Sequence, residues 1–176
     1  MKNSFIQNAA THGLIIGLAL VVLSLLDWAL GFYGQKFAFS LLTWAAIIAG
    51  LIWAATAYRR QTGGFISYGQ AFGYSLTVAA VYAVITAIFG VLLTQVIDPH
   101  YMETVLALAE ESLLDAGMPS SQVDMAMEVS SKFSHPAINF ISSILSTLFV
   151  SAIIALVTSA IVKRVNPNPF AGSERF

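Results

Sequence analysis

Long apolar stretches, separated by short polar segments, make up most of this chain of 176 residues. Roughly 20 helical residues, each rising about 1.5 Å, cross the hydrocarbon core of a bilayer. The pattern therefore predicts four transmembrane helices, at about residues 9–30, 37–57, 68–97 and 136–162, after a polar lead over residues 1–8. The first stretch is longer than the apolar region of a signal peptide, which has about 7–15 residues, so we expect it to be retained.

One long polar interval, residues 98–135, separates the third and fourth predicted helices. Apolar residues recur within it at the helical spacings of three and four. We expect Asp98 to cap a first helix there, and Gly117 followed by Pro119 to end it. The interval therefore predicts a hairpin of two short amphipathic helices.

The composition agrees with an integral membrane protein. Hydrophobic residues make up 57% of the chain and charged residues only 10%, whereas soluble domains carry about 25% charged residues. The predicted fold is all-α, a single membrane domain over residues 1–176. The chain has no cysteine, which excludes disulfides and thiolate metal sites.

The charges predict the orientation of the chain. Six of the eight basic residues lie at the two termini or between the second and third predicted helices: Lys2, Arg59, Arg60, Lys163, Arg164 and Arg175. Because basic residues are enriched in cytoplasmic segments, we expect both termini in the cytoplasm and the hairpin outside it. The hairpin carries seven of the nine carboxylates: Asp98, Glu103, Glu110, Glu111, Asp115, Asp124 and Glu128.

Two histidines, His100 and His135, bracket the acidic interval. Together with Asp98 and Glu103 they are the best candidates for a divalent metal site, because imidazole and carboxylate are suitable ligands. Their spacing matches no metal motif, so we expect no metal and no cofactor. His12 is expected at the membrane interface.

A second candidate site lies at the cytoplasmic interface. Arg59 and Arg60 end the second predicted helix, and Tyr68 and Gln70 begin the third after a glycine turn. Arginines beside a helix N-terminus suit an anionic lipid headgroup. Aromatic residues at this depth also anchor helix ends, so an anchoring role is the alternative.

The fourth predicted helix carries a polar stripe, formed by Asn139, Ser143, Thr147 and Ser151 at intervals of four residues. This stripe suits a groove for a substrate or a lipid. The alternative is a packing contact, because small and hydroxylated residues let membrane helices approach closely.

Small residues in the first two helices have the same packing interpretation. Gly13 and Gly17 share one side of the first predicted helix, and Ala46, Gly50 and Ala54 share one side of the second. We expect these positions to contact other helices, either within the chain or between protomers.

The segment Ser67-Tyr68-Gly69-Gln70-Ala71-Phe72, together with Ile97-Asp98-Pro99 and Ala116-Gly117-Met118, resembles a known family. It is a family of small bacterial four-helix membrane proteins catalogued as a domain of unknown function, DUF4199. The resemblance covers the whole chain and implies a bacterial plasma (inner) membrane protein. It carries no established activity and no catalytic residues.

The sequence favours a non-enzymatic accessory or scaffold subunit of the cell envelope. It contains no nucleophile motif, no phosphate loop and no basic face for nucleic acid. We expect the lipid bilayer, an envelope protein bound through the acidic hairpin, and further copies of the chain as partners. The alternative is a small transporter or lipid carrier that uses the polar stripe.

Overall fold

The chain forms an all-helical bundle in a computed structural model that describes residues 2–132 and 135–165, with side chains from Ser4 onward. The six α-helices are α1 (Lys2–Ala29), α2 (Phe37–Gln61), α3 (Tyr68–Leu92), α4 (Tyr101–Asp115), α5 (Ser120–Lys132) and α6 (Pro136–Val162), with a π-helical segment, Leu93–Ile97, continuing α3. No strand occurs in this described part, which confirms the predicted helical class.

Among the described residues, four helical segments are long and apolar enough to cross a membrane: Ser4–Ala29, Phe37–Gln61, Tyr68–Ile97 and Pro136–Val162. Many of their large apolar side chains face outward, such as Phe149 at 69% exposure and Leu145 at 62%. Exposed apolar residues on this scale suit contact with lipid.

The helix α3 lies at the centre and packs against both α1 and α6. Gly13 brings α1 close to α3, because a Cβ atom at this position would lie only 2.6 Å from the Cβ of Val81. A Cβ at Gly50 in α2 would lie 3.0 Å from Ile16 in α1. The small residues of α1 and α2 therefore make helix contacts within the chain.

Two buried hydrogen bonds join α3 to its neighbours. His12 Nδ1 and the Tyr74 hydroxyl, on α1 and α3, are 2.6 Å apart. The hydroxyls of Tyr82 and Ser151 join α3 to α6. His12 is 9% exposed and lies inside the bundle, whereas its place at the membrane interface stays a prediction.

The helix ends fall into two groups. At one end, which we call the terminal end, Asn8 Nδ2 donates to Gln61 Oε1 at 2.5 Å. At the same end Ile66 and Arg164 exchange two backbone hydrogen bonds of 2.9 Å. The opposite end, which we call the junction end, holds the α1–α2 turn, α4 and α5. The tail after Val165, including Arg175, lies outside the described residues.

Tertiary contacts shift two helix starts from their predicted places. The helix α1 already begins at Lys2, and Phe5 within the expected polar lead packs edge-to-face on Tyr58 and Tyr74, with ring centroids 5.4 and 5.3 Å away. The helix α4 begins at Tyr101 rather than beside Asp98. Asp98 has a non-helical backbone, with φ −141° and ψ 87°.

The close approach at Gly13 predicts the effect of a single methyl group. We expect Gly13→Ala to lower the free energy of unfolding by about 1–3 kcal/mol, because the added Cβ has no room and α1 must move away from α3. The measurement is equilibrium unfolding by SDS in mixed micelles. Gly73→Ala is the matched control, since nothing lies within 4 Å of its Cβ position. An equal loss in both variants would contradict the packing assignment.

Candidate functional site at the junction end

The short helices α4 and α5 contact each other across a glycine turn. Gly117 adopts a left-handed backbone, with φ +79°. Its N–H donates to the Leu114 carbonyl at 2.9 Å, and the Met118 N–H donates to the Leu113 carbonyl at 3.1 Å. This is a Schellman ending, which satisfies the last carbonyls of α4 and reverses the chain. We call α4 and α5 the helix pair.

The helix pair carries a strongly acidic surface. Its carboxylates are all exposed: Glu103, Glu110, Glu111, Asp115, Asp124 and Glu128. The only base in the pair is Lys132, whose Nζ lies 3.3 Å from Glu128 Oε1. Most of these carboxylates therefore have no basic partner within the described helices.

Apolar side chains also remain exposed on the helix pair. In α5 only Val123 is buried, while Met125 is 61% and Val129 54% exposed. These two residues lie four positions apart, so they share one side of the helix. On α4, Leu114 is 47% exposed. The helix pair thus presents exposed apolar side chains among carboxylates, and these apolar side chains are not buried between α4 and α5.

A hydrogen-bond network joins the start of α4 to the bundle. The Trp28 indole Nε1, in the last turn of α1, donates to Asp98 Oδ2 at 3.0 Å. Asp98 Oδ1 accepts from the His100 backbone N–H at 3.1 Å. The rings of Tyr33 and Tyr101 lie 5.5 Å apart, which adds a contact between the α1–α2 turn and α4. The base of the helix pair is therefore fixed to the end of α1.

Burial at this junction affects one titrating group. Desolvation raises the pKa of Tyr101, and the negative charge of Asp27 raises it further. Tyr101 therefore stays neutral at physiological pH, in keeping with its place between the helix pair and the bundle.

Each of the metal candidates makes a contact of another kind. His100 Nδ1 lies 3.0 Å from Glu103 Oε2, while Asp98 is bonded to Trp28. His135 is the N-cap residue of α6. Among residues 2–132 and 135–165 no group of three or more His, Cys, Asp or Glu side chains is placed to hold a metal ion.

The four headgroup candidates make different contacts, and headgroup binding by them stays a prediction. Arg59 Nη1 donates to the Val162 carbonyl at 3.0 Å, at the end of α6. The Tyr68 hydroxyl donates to the Leu156 carbonyl at 3.2 Å. Gln70 closes a reciprocal capping box with Ser67 at the start of α3. Arg60 lines a depression along α2. Three of the four side chains thus stabilise helix ends or helix contacts.

A cavity at the terminal end has a volume of about 860 Å³ and is lined by α1, α2, the α2–α3 turn and α3. Its polar lining includes Asn8 and Gln61, which are bonded to each other, and Gln70, whose Oε1 accepts from the Ser67 N–H. The Thr62 hydroxyl there donates to the Phe65 carbonyl at 2.8 Å. These bonds hold α1 to α2 and fix the turn between α2 and α3.

The polar stripe of α6 is partly a helix contact. Ser151 is 1% exposed and is bonded to Tyr82 and to the Thr147 carbonyl. Asn139 and Ser143 are half-buried, and Ser143 Oγ donates to Asn139 Oδ1 at 3.5 Å. A nearby groove of about 350 Å³ is lined by apolar residues of α3 and α6 and not by the stripe.

Sequence reasoning missed the Trp28–Asp98 contact. A tryptophan near the end of a membrane helix ordinarily indicates an interfacial anchor. One signal for this contact was present. Trp28 and Asp98 were both expected at the same membrane surface, and a partly buried indole N–H needs an acceptor such as a carboxylate.

The pair formed by His100 and Glu103 predicts a pH effect. The hydrogen bond that the His100 ring donates to Glu103, and then the negative charge of Glu103, raise the pKa of His100. The stabilisation from this pair is therefore complete below the ordinary histidine pKa of about 6.5 and is lost as the pH rises through the raised value. We expect Glu103→Gln to lower the pKa of His100, as measured by NMR titration of its ring protons.

The control for this titration is Glu110→Gln, which removes an exposed carboxylate of the same helix. We expect it to leave the His100 titration close to that of the unaltered protein. A His100 pKa that is the same in the Glu103→Gln variant and the unaltered protein would contradict the pairing.

Comparison with known proteins places the chain in a family. The model of the family described as "Protein of unknown function (DUF4199)" matches residues 11–164. The chain belongs to this family, which confirms the resemblance seen in the sequence. No curated protein and no solved structure matches the chain.

Proposed function

We propose that this DUF4199 protein is a non-enzymatic accessory subunit of the cell envelope, in which the four apolar helices anchor the helix pair. The observation that carries the proposal is the exposed surface of α5, where Met125 and Val129 lie among exposed carboxylates. The Trp28–Asp98 hydrogen bond supports a presenting role, because it holds the base of the pair against the bundle.

The proposed orientation puts the helix pair outside the cytoplasm. Arg59, Arg60, Lys163 and Arg164 belong to the terminal end of the bundle, which the positive-inside rule assigns to the cytoplasm. The membrane is the plasma membrane, and both chain termini are cytoplasmic.

The chemistry of the helix pair favours one kind of partner, a protein with a basic surface and an apolar centre. Complementary charge steers association, and buried apolar contact supplies much of the affinity. A second copy of the chain is a poorer partner here, because it presents the same carboxylates and like charges repel. Anionic headgroups are disfavoured for the same reason.

The carrier alternative has less support. Ser151, which the alternative places in a substrate groove, is buried and bonded to Tyr82. Opening a path along the stripe would break this bond and separate α3 from α6. We therefore interpret the Ser151 part of the stripe as a packing contact.

Photo-crosslinking tests the partner hypothesis. We expect a photoreactive amino acid at Val129 to form a discrete protein adduct in native membranes, and the same group at the lipid-facing Phe149 to form lipid adducts only. Charge reversal at Glu128 and Asp124, both to Lys, should reduce the Val129 adduct about tenfold, because two attractive contacts become repulsive.

A matched pair of tryptophan variants tests the presenting role in the same assay. Trp28→Phe removes the indole donor to Asp98 and should weaken the adduct, whereas Trp44→Phe, on the exposed side of α2, should not. Lipid adducts alone from Val129, or a protein adduct insensitive to charge reversal, would contradict the proposal.

A further inference from the structure

Asp27 is a carboxylate near the junction end of α1. It belongs to the candidate membrane span Ser4–Ala29 and is half-buried. Its Oδ2 accepts one hydrogen bond, from the Gly34 N–H at 2.8 Å. Neither ion pair of the described residues includes Asp27. Asp27 lies in the last turn of this span, where α1 meets the α1–α2 turn.

This carboxylate lines a lateral cavity of about 290 Å³ between α1 and α2, at the junction end. Three hydroxylated residues, Ser24, Ser40 and Thr43, also line this cavity. Thr43 Oγ1 donates to the Phe39 carbonyl at 3.2 Å, so its lone pairs remain available to accept. The cavity thus offers one negative charge and several acceptors.

The rest of the lining is apolar and aromatic. Leu20, Leu23 and Ile47 lie away from the carboxylate along the helices, and Phe39 and Trp44 supply two aromatic rings. Aromatic faces attract cations, and the aliphatic side chains suit a hydrocarbon chain. No lysine or arginine lines the cavity.

We propose that this cavity binds the primary ammonium group of an amphiphile, with the nitrogen at Asp27 and the hydrocarbon part between α1 and α2. A primary ammonium has three N–H donors, which match the carboxylate and the neighbouring hydroxyls. A quaternary ammonium has none, and an anionic headgroup meets the charge of Asp27 unfavourably. The headgroup of an aminophospholipid and a free alkylammonium ion share this chemistry.

Native mass spectrometry of the full chain in a neutral detergent tests the site. The probes are phosphatidylethanolamine, phosphatidylcholine and phosphatidylglycerol with identical acyl chains. We expect the ethanolamine lipid to be retained about tenfold more than the other two, the range of a charge-assisted hydrogen bond. Competition with dodecylammonium distinguishes the two sources of the ammonium group. If dodecylammonium displaces the ethanolamine lipid, the cavity recognises the ammonium of either source. If it does not, the cavity recognises the lipid.

Asp27→Asn is the matched variant. Its side-chain oxygen still accepts from Gly34, so the turn is kept while the charge is lost, and we expect the preference for the ethanolamine lipid to disappear. Should this variant fail to fold, Ser40→Leu keeps Asp27 and fills the cavity, and it should also abolish the preference. Equal retention of all three lipids by the unaltered protein, or an unchanged preference in a folded variant, overturns the proposal.

Discussion

The hydrogen bond from the Trp28 indole to Asp98 sets the relation between the two parts of this protein. It joins the end of α1 to the residue where the chain leaves the π-helical segment. Because Asp98 also accepts from the His100 N–H, the carboxylate fixes the direction in which α4 begins. The contact between the rings of Tyr33 and Tyr101 is a second link between the helix pair and the bundle.

The bundle that supports this contact depends on α3. A lipid environment provides little hydrophobic driving force between helices, so close packing and buried hydrogen bonds must hold them together. Gly13 allows close packing of α1 on α3, and the bonds from Tyr74 to His12 and from Tyr82 to Ser151 add polar contacts on both sides. These contacts hold the helices together, so the outward-facing side chains can be apolar.

The helical class and the four apolar helices could be predicted, because membrane spans depend on local composition over long stretches. The starts of individual helices and the roles of single polar residues could not be predicted. Phe5 is helical because it packs on Tyr58 and Tyr74, and Asp98 leaves the predicted cap because it meets Trp28. Both outcomes depend on contacts between residues far apart in sequence.

The candidate sites also differ in how far the sequence predicts them. The headgroup candidates lie near one membrane surface, as their positions in the sequence indicate. Their contacts could not be predicted, because Arg59 and Tyr68 bond to carbonyls of α6, which sequence spacing does not reveal. The acidic character of the helix pair was visible at once, because it is a property of composition. The cavity beside Asp27 required the packing of α1 against α2.

The central claim is that the helix pair is an exposed surface outside the cytoplasm, and single-cysteine labelling tests it most directly. The chain has no native cysteine, so each introduced thiol reports alone. With a membrane-impermeant maleimide on intact cells, the account predicts labelling of Ser121→Cys in α5. Thr62→Cys at the terminal end should react only after the membrane is permeabilised. Labelling of Thr62→Cys but not Ser121→Cys in intact cells would contradict it.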